Sequence, residues 1–230
     1  MSSMRSRFSH SGYEVVFPRG ITLGPAAVDL YLQITKFIDQ IAGFRDPKVS
    51  LEQYSLPSDL IAFILILAAD DLTGKTVVEL GCGTGRFTLP IQKFFAAQTL
   101  GVDVDWEGVL TLAQQREQLT LDIELLVTAI EFLEPELWGK RFQTTIMNPP
   151  FGTKRRKIDL VFLEQALQYS ETIISLHKAN KPTRKLIEKV SSEHGKRVDR
   201  LATVNFILAP QFQFHRKAQH KVLVDVLRIY

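Results

Sequence analysis

The chain has 230 residues, 45% of them hydrophobic, and a formal net charge of only +3 from 28 basic and 25 acidic side chains. That length supports a sizeable globular core, and the near balance of charge excludes a globally basic nucleic-acid coat, so any basic contact surface is local. A single cysteine, Cys82, excludes an intrachain disulfide and a Cys-based zinc site; with five histidines at no tight ligand spacing, no metal is expected, and a reducing, cytoplasmic compartment is.

Residues 1–25 read as an irregular or disordered extension, punctuated by Gly12, Pro18, Gly20, Gly24 and Pro25. The Arg- and Ser-rich start reads as a basic tail rather than a targeting segment. Residues 26–230 read as one domain. Val28 to Ala42 predicts a helix, with Val28, Tyr31, Ile34, Ile38 and Ile41 at near-helical spacing and Gly43 as its stop. Phe44 to Pro57 is a connector containing Leu51-Glu52-Gln53-Tyr54. Ser58 to Ala69 predicts a second helix with Ser58 as N-cap. Its apolar run is too short for a bilayer, which needs about 20 residues.

From Thr76 the pattern alternates. Strands are predicted at Thr76–Leu80, Thr99–Val104, Ile123–Val127, Phe142–Met147 and Thr172–Leu176. Helices are predicted at Phe87–Ala97, Glu107–Leu119, Asp159–Tyr169 and Lys181–His194. Pro90 fits if it lies in the first turn of its helix. Two last strands, Arg197–Leu208 and Lys221–Ile229, have no helix between them and predict an antiparallel hairpin at the sheet edge. The fold class is therefore α/β, a Rossmann-like, mostly parallel sheet with helices on both faces.

Two motifs carry chemistry. After the strand ending Glu79-Leu80 comes Gly81-Cys82-Gly83-Thr84-Gly85. Neither the P-loop nor the dinucleotide spacing is present, so the turn suits a nucleoside cofactor without phosphates, such as S-adenosyl-L-methionine. Asp103 ends the next strand, where a carboxylate accepts from both ribose hydroxyls. Asp105 reads instead as a helix N-cap. The second motif, Asn148-Pro149-Pro150-Phe151, directly follows the strand Phe142–Met147. A planar amine is a poor nucleophile because its lone pair is delocalised. The Asn148 side-chain oxygen and the Pro149 carbonyl, held by two prolines, can accept from its two N–H groups and aim the lone pair. Phe151 is placed to stack on the target ring; the alternative is a core aromatic.

Lys154, Arg155, Arg156 and Lys157 follow that clamp, His177 and Lys178 follow the fifth parallel strand, and Arg216 and Lys217 sit in the last connection. Such clusters are usually solvated faces, but the first adjoins the chemistry, so RNA contact is favoured.

With both motifs in view, residues 30–230 resemble the class I S-adenosylmethionine-dependent methyltransferases, and more closely the rRNA N6-adenosine methyltransferase family of methyltransferase-like protein five. The resemblance rests on GFRDPKVSLEQY, VVELGCGTG, GVDVD, IMNPPFGTK, Ser175–Lys178 and Phe214–Lys217. It implies a seven-stranded sheet, adenine N6 as methyl acceptor, small-subunit ribosomal RNA as substrate, a cofactor contact from Gln53, and a small zinc-ribbon activator protein pairing along the edge strand at Ile123–Val127. Three positions depart from the family pattern. Ser55-Leu56 stand where Pro-Thr is usual, Glu79 replaces Asp, and Thr128-Ala129 stand where an Asp reads the cofactor adenine. Backbone groups at Ala129 and Ile130, or Glu131, take that last role, and weaker cofactor affinity is expected. Other readings are a protein glutamine N5-methyltransferase, a DNA adenine methyltransferase, and a non-catalytic RNA-binding assembly factor with a decayed pocket.

Overall fold

The computed structural model describes residues 23–134, 142–152, 157–205 and 222–230, and the backbone of residues 7–10, 13–16, 206–208 and 220–221. Among the described residues nine strands form one sheet. They are β1 (Arg7–His10), β2 (Tyr13–Val16), β3 (Thr76–Leu80), β4 (Gln98–Asp103), β5 (Ile123–Val127), β6 (Phe142–Met147), β7 (Ser170–Lys178), β8 (Val198–Leu208) and β9 (His220–Ile229). Their order across the sheet is β1-β2-β8-β9-β7-β6-β3-β4-β5.

The expected seven strands are β3 to β9. From β7 to β5 the pairings are all parallel, and β9 then runs antiparallel to both β7 and β8. Two expectations need correction. Residues 7–10 and 13–16 are not irregular: β1 and β2 pair antiparallel, and β2 adds to β8 with Tyr13 opposite Phe206. The β8–β9 hairpin is therefore not at the edge, because β2 covers the outer side of β8.

Seven helices are described: α1 (Pro25–Ile38), α2 (Ser58–Leu67), α3 (Ala69–Leu72), α4 (Thr88–Phe95), α5 (Trp106–Gln118), α6 (Ile158–Tyr169) and α7 (Lys181–Glu193). α1 starts with Pro25 in its first turn, where a missing N–H costs nothing, and it ends at Ile38, short of Gly43. Pro57 rather than Ser58 is the N-cap of α2. α2 is apolar on every side (Leu60 to Leu65 are buried), as a helix enclosed by its neighbours must be. Pro90 lies in the first turn of α4 as required. In α7 the Asn180 side chain accepts from the Thr183 N–H at 2.9 Å.

Strand alternation splits the core into two clusters. Val77, Ile146, Ile174 and Leu176 pack with α1, α2, α4 and α5; Val78, Leu80, Met147 and Ile173 pack with α6 and α7. Neighbours in one strand point to opposite faces, so both faces of the parallel region are covered. That coverage leaves the carboxyl ends of β3, β4, β5 and β6 as the place where a cleft can open.

Candidate active site

The register of β3 assembles the site. Leu80 stands opposite Val102 of β4 on one side and Met147 of β6 on the other. Gly81 and Asn148, the next residues, thus leave adjacent parallel strands at the same end. Asp103 ends β4 opposite Val127, and the Thr128 N–H donates to its carbonyl at 3.0 Å. A cavity of ≈ 280 Å³ opens over these ends. Its wall includes Gly81, Gly83, Thr84 and Asp103 from the first motif region and Asn148 and Pro150 from the second. Glu79, Gln53, Ala129 and Ile130 line it as well. Gly85 does not; it lies behind the wall against Leu112.

Gly81, Gly83 and Gly85 have φ of +77°, +50° and +88°. A side chain is strained there whatever the space. A Cβ on Gly83 would also fall 2.6 Å from the Phe44 ring, and one on Gly85 2.3 Å from a Leu112 methyl. Two of the three glycines are thus demanded by the fold's own packing. Asp103 locks the turn: its Oδ2 accepts from the Gly83 N–H at 2.7 Å and its Oδ1 from the Asp105 N–H at 2.8 Å. Burial pushes the Asp103 carboxyl above the ordinary range.

Asp105 is the N-cap residue of α5, as expected, although its side chain makes no capping hydrogen bond. Its carboxylate accepts instead from Lys48 Nζ at 2.5 Å and Gln53 Nε2 at 2.7 Å. The Gln53 Oε1 accepts from the Lys48 N–H at 2.7 Å. Gln53 is therefore in the wall, with both ends of its amide engaged by protein. Glu79 is buried and hydrogen-bonded to the Thr88 hydroxyl. Burial raises its pKa to about 8, which favours the neutral form at pH 7.

The clamp is held from the connector. Glu52 sits in the left-handed region at φ +52°. Its Oε2 accepts from the Phe151 N–H at 2.9 Å. The Tyr54 hydroxyl donates to Asn148 Oδ1 at 3.1 Å, and its ring packs 5.5 Å from that of Phe151 at 33°. Phe151 is buried by this contact, and Lys178 Nζ lies 6.0 Å from its ring centroid. Pro149 is buried beside it. Glu52 and Tyr54 are functional candidates that the sequence reading passed over. The signal was present in Leu51-Glu52-Gln53-Tyr54, but only Gln53 was drawn from it.

His177 is a correction. It is 1% exposed, its Nε2 is 2.7 Å from the Ser175 hydroxyl, and burial lowers its pKa to about 4. A neutral core imidazole does not offer a cation to phosphate. Lys157 is exposed at the entry to α6. Lys154, Arg155, Arg156, Arg216 and Lys217 lie outside the described residues.

The model of the methyltransferase small domain family matches residues 59–199, more than half of the chain. The chain belongs to that family. Two curated relatives reach nearly end to end. The rRNA N(6)-adenosine-methyltransferase Mettl5 of Drosophila melanogaster is 31% identical over 85% of this chain and 94% of its own length. An uncharacterised protein of Methanocaldococcus jannaschii is 30% identical over 84% of this chain and 90% of its own. Among solved structures, a candidate RNA methyltransferase from Pyrococcus horikoshii superposes with a TM-score of 0.77 at 32% identity, covering 90% of this chain and 98% of that one. This family chain carries both motifs on neighbouring strands.

Proposed function

We propose that the protein transfers a methyl group from S-adenosyl-L-methionine to adenine N6 in structured RNA, with small-subunit ribosomal RNA as the substrate. The observation that carries this reading is the register that sets Leu80 between Val102 and Met147. It brings a nucleoside-type turn and an amine clamp to one cavity. The near end-to-end likeness to a named rRNA N6-adenosine methyltransferase supports the choice of acceptor.

The residues fit such a cofactor. Each Asp103 oxygen accepts one backbone N–H and keeps a lone pair for a ribose hydroxyl. Ala129 and Ile130 line the cavity, and in this reading their backbone groups take the adenine. The Thr84 hydroxyl is buried among the described residues with no partner. When bound, the cofactor supplies an electrophilic methyl group on a sulfonium. The chain's own task is to hold the amine. Asn148 Oδ1 keeps a second lone pair beside the Tyr54 bond, and the Pro149 carbonyl is the second acceptor. Positioning and electrostatics do the rest, and no strong base is needed. A target adenine enters single-stranded or flipped out of its helix. Lys178, 6.0 Å from the Phe151 ring, and the exposed Lys157 at the start of α6 are the described cations this reading offers to phosphate.

The finer partner is a small zinc-ribbon activator protein that adds to the β5 edge. β5 is an edge strand among the described residues. Val127 (41% exposed) and Phe132 (74%) leave apolar surface there, as strand addition uses. Tritium transfer from labelled cofactor to total RNA and to protein, followed by nucleoside mass spectrometry, tests the function. N6-methyladenosine in small-subunit rRNA is expected, absent with Asn148→Ala. Label in protein glutamine, or no label at all, overturns it.

A further inference from the structure

Arg86 follows the glycine turn and lines the same cavity. Its Nη2 donates to the Leu56 carbonyl at 3.2 Å and to the Ser58 hydroxyl at 3.0 Å. Both acceptors are neutral. Among the described residues Arg86 takes part in no ion pair, and its Nε is buried without a partner. Burial lowers its pKa and the charge of Asp39, which forms no ion pair with it, raises it; a guanidinium keeps its charge in a protein. A half-buried cation with unused donors is costly unless an anion completes it. The two bonds from Nη2 fix the plane of the group against residues 56 and 58. That leaves the Nη1 hydrogens and the buried Nε–H, on separate edges of the guanidinium, as unused donors, and a charge-assisted bond from one of them suits a carboxylate oxygen.

Polar groups of opposite kinds thus line one cavity: the acceptor Asp103 at the end of β4, and the donor Arg86 after the turn. A nucleoside linked to an amino acid has the matching chemistry, hydroxyls at one end and a carboxylate at the other. We propose that Arg86 binds the α-carboxylate of the cofactor's methionine moiety, held in place by the Leu56 carbonyl and the Ser58 hydroxyl. This rests on the cofactor assigned above and adds its carboxylate subsite.

Calorimetric titration tests it with two probes, S-adenosylhomocysteine and 5′-methylthioadenosine, which lacks the amino-acid part. Arg86→Gln is expected to weaken the first by at least about tenfold, the value of a charge-assisted hydrogen bond, and to leave the second within about twofold. Arg86→Lys recovers part of the loss. An equal loss for both probes, or no loss for either, overturns the carboxylate assignment and leaves the cofactor reading standing. A wild-type chain that binds neither probe removes the cofactor reading and this inference with it. If Arg86→Gln fails to fold, the wild-type chain is titrated with the methyl ester of S-adenosylhomocysteine. A loss of at least about tenfold is expected, and unchanged affinity overturns the assignment.

Discussion

The two halves of the cavity are built differently. On the β3–β4 side, backbone holds backbone: Gly81 and Cys82 donate to the Val102 carbonyl at 2.8 and 3.0 Å, and Asp103 fastens Gly83. On the β6 side, the clamp is held by side chains that arrive from elsewhere. Glu52 and Tyr54 reach Phe151 and Asn148 from 99 and 94 residues away. The first half is as rigid as the sheet that carries it. The second depends on the seating of residues 48–54, which Gln53 and Lys48 in turn tie to Asp105. Binding surface is thus fixed by the fold, while reacting geometry is strapped on and is open to adjustment.

The sharpest break between the halves is Asn148→Ala. Removing one of two acceptors from the developing charge should lower methyl transfer by roughly 10²–10³-fold. S-adenosylhomocysteine affinity should stay within about threefold, because Asn148 holds no part of the glycine turn. Equal loss of both would mean that the halves are one unit. The mirror experiment is Asp103→Ala. It strips the Gly83 and Asp105 N–H groups of their acceptor, and cofactor affinity should fall about 10–100-fold in calorimetry. A smaller effect is expected from Tyr54→Phe, which keeps the ring on Phe151 and deletes only the bond to Asn148. kcat should drop about tenfold with KM for cofactor little changed, the signature of a positioning residue. A change in KM alone would place Tyr54 in the binding half.

The same division governs what was legible in the chain. β3, β4, β6 and β7 carry near-continuous buried runs bounded by turns, as parallel strands covered on both faces do, so their pattern is their own. The parallel order then follows from short right-handed crossovers, and the sheet end carrying both motifs follows with it. β1 and β2 are short, and their pairing is dictated by the open side of β8 rather than by local pattern. His177 was misplaced because β7 continues to Lys178, two residues beyond the apolar run, which turns Ser175 and His177 inward together. The straps from Glu52 and Tyr54 are long-range side-chain contacts, and no local periodicity encodes them.

A pH-dependent contrast lies in the rigid half and concerns Glu79. Its neutral form is favoured in the folded state, with a pKa of about 8 set mainly by burial and also by the charge of Asp103. In the unfolded chain the same group titrates near 4.5. Between those values the native state binds a proton that the unfolded state has released, so stability falls as pH rises. The contribution is whole below about pH 4.5 and is spent by about pH 8, with a slope of at most about 1.4 kcal/mol per pH unit. Glu79→Gln keeps an acceptor for the Thr88 hydroxyl and removes the titration. Denaturant unfolding from pH 5 to 8 should therefore show a flatter profile for Glu79→Gln than for the wild-type chain. Parallel profiles would mean that Glu79 is ionised in the fold and that its charge, not its shape, supports the turn.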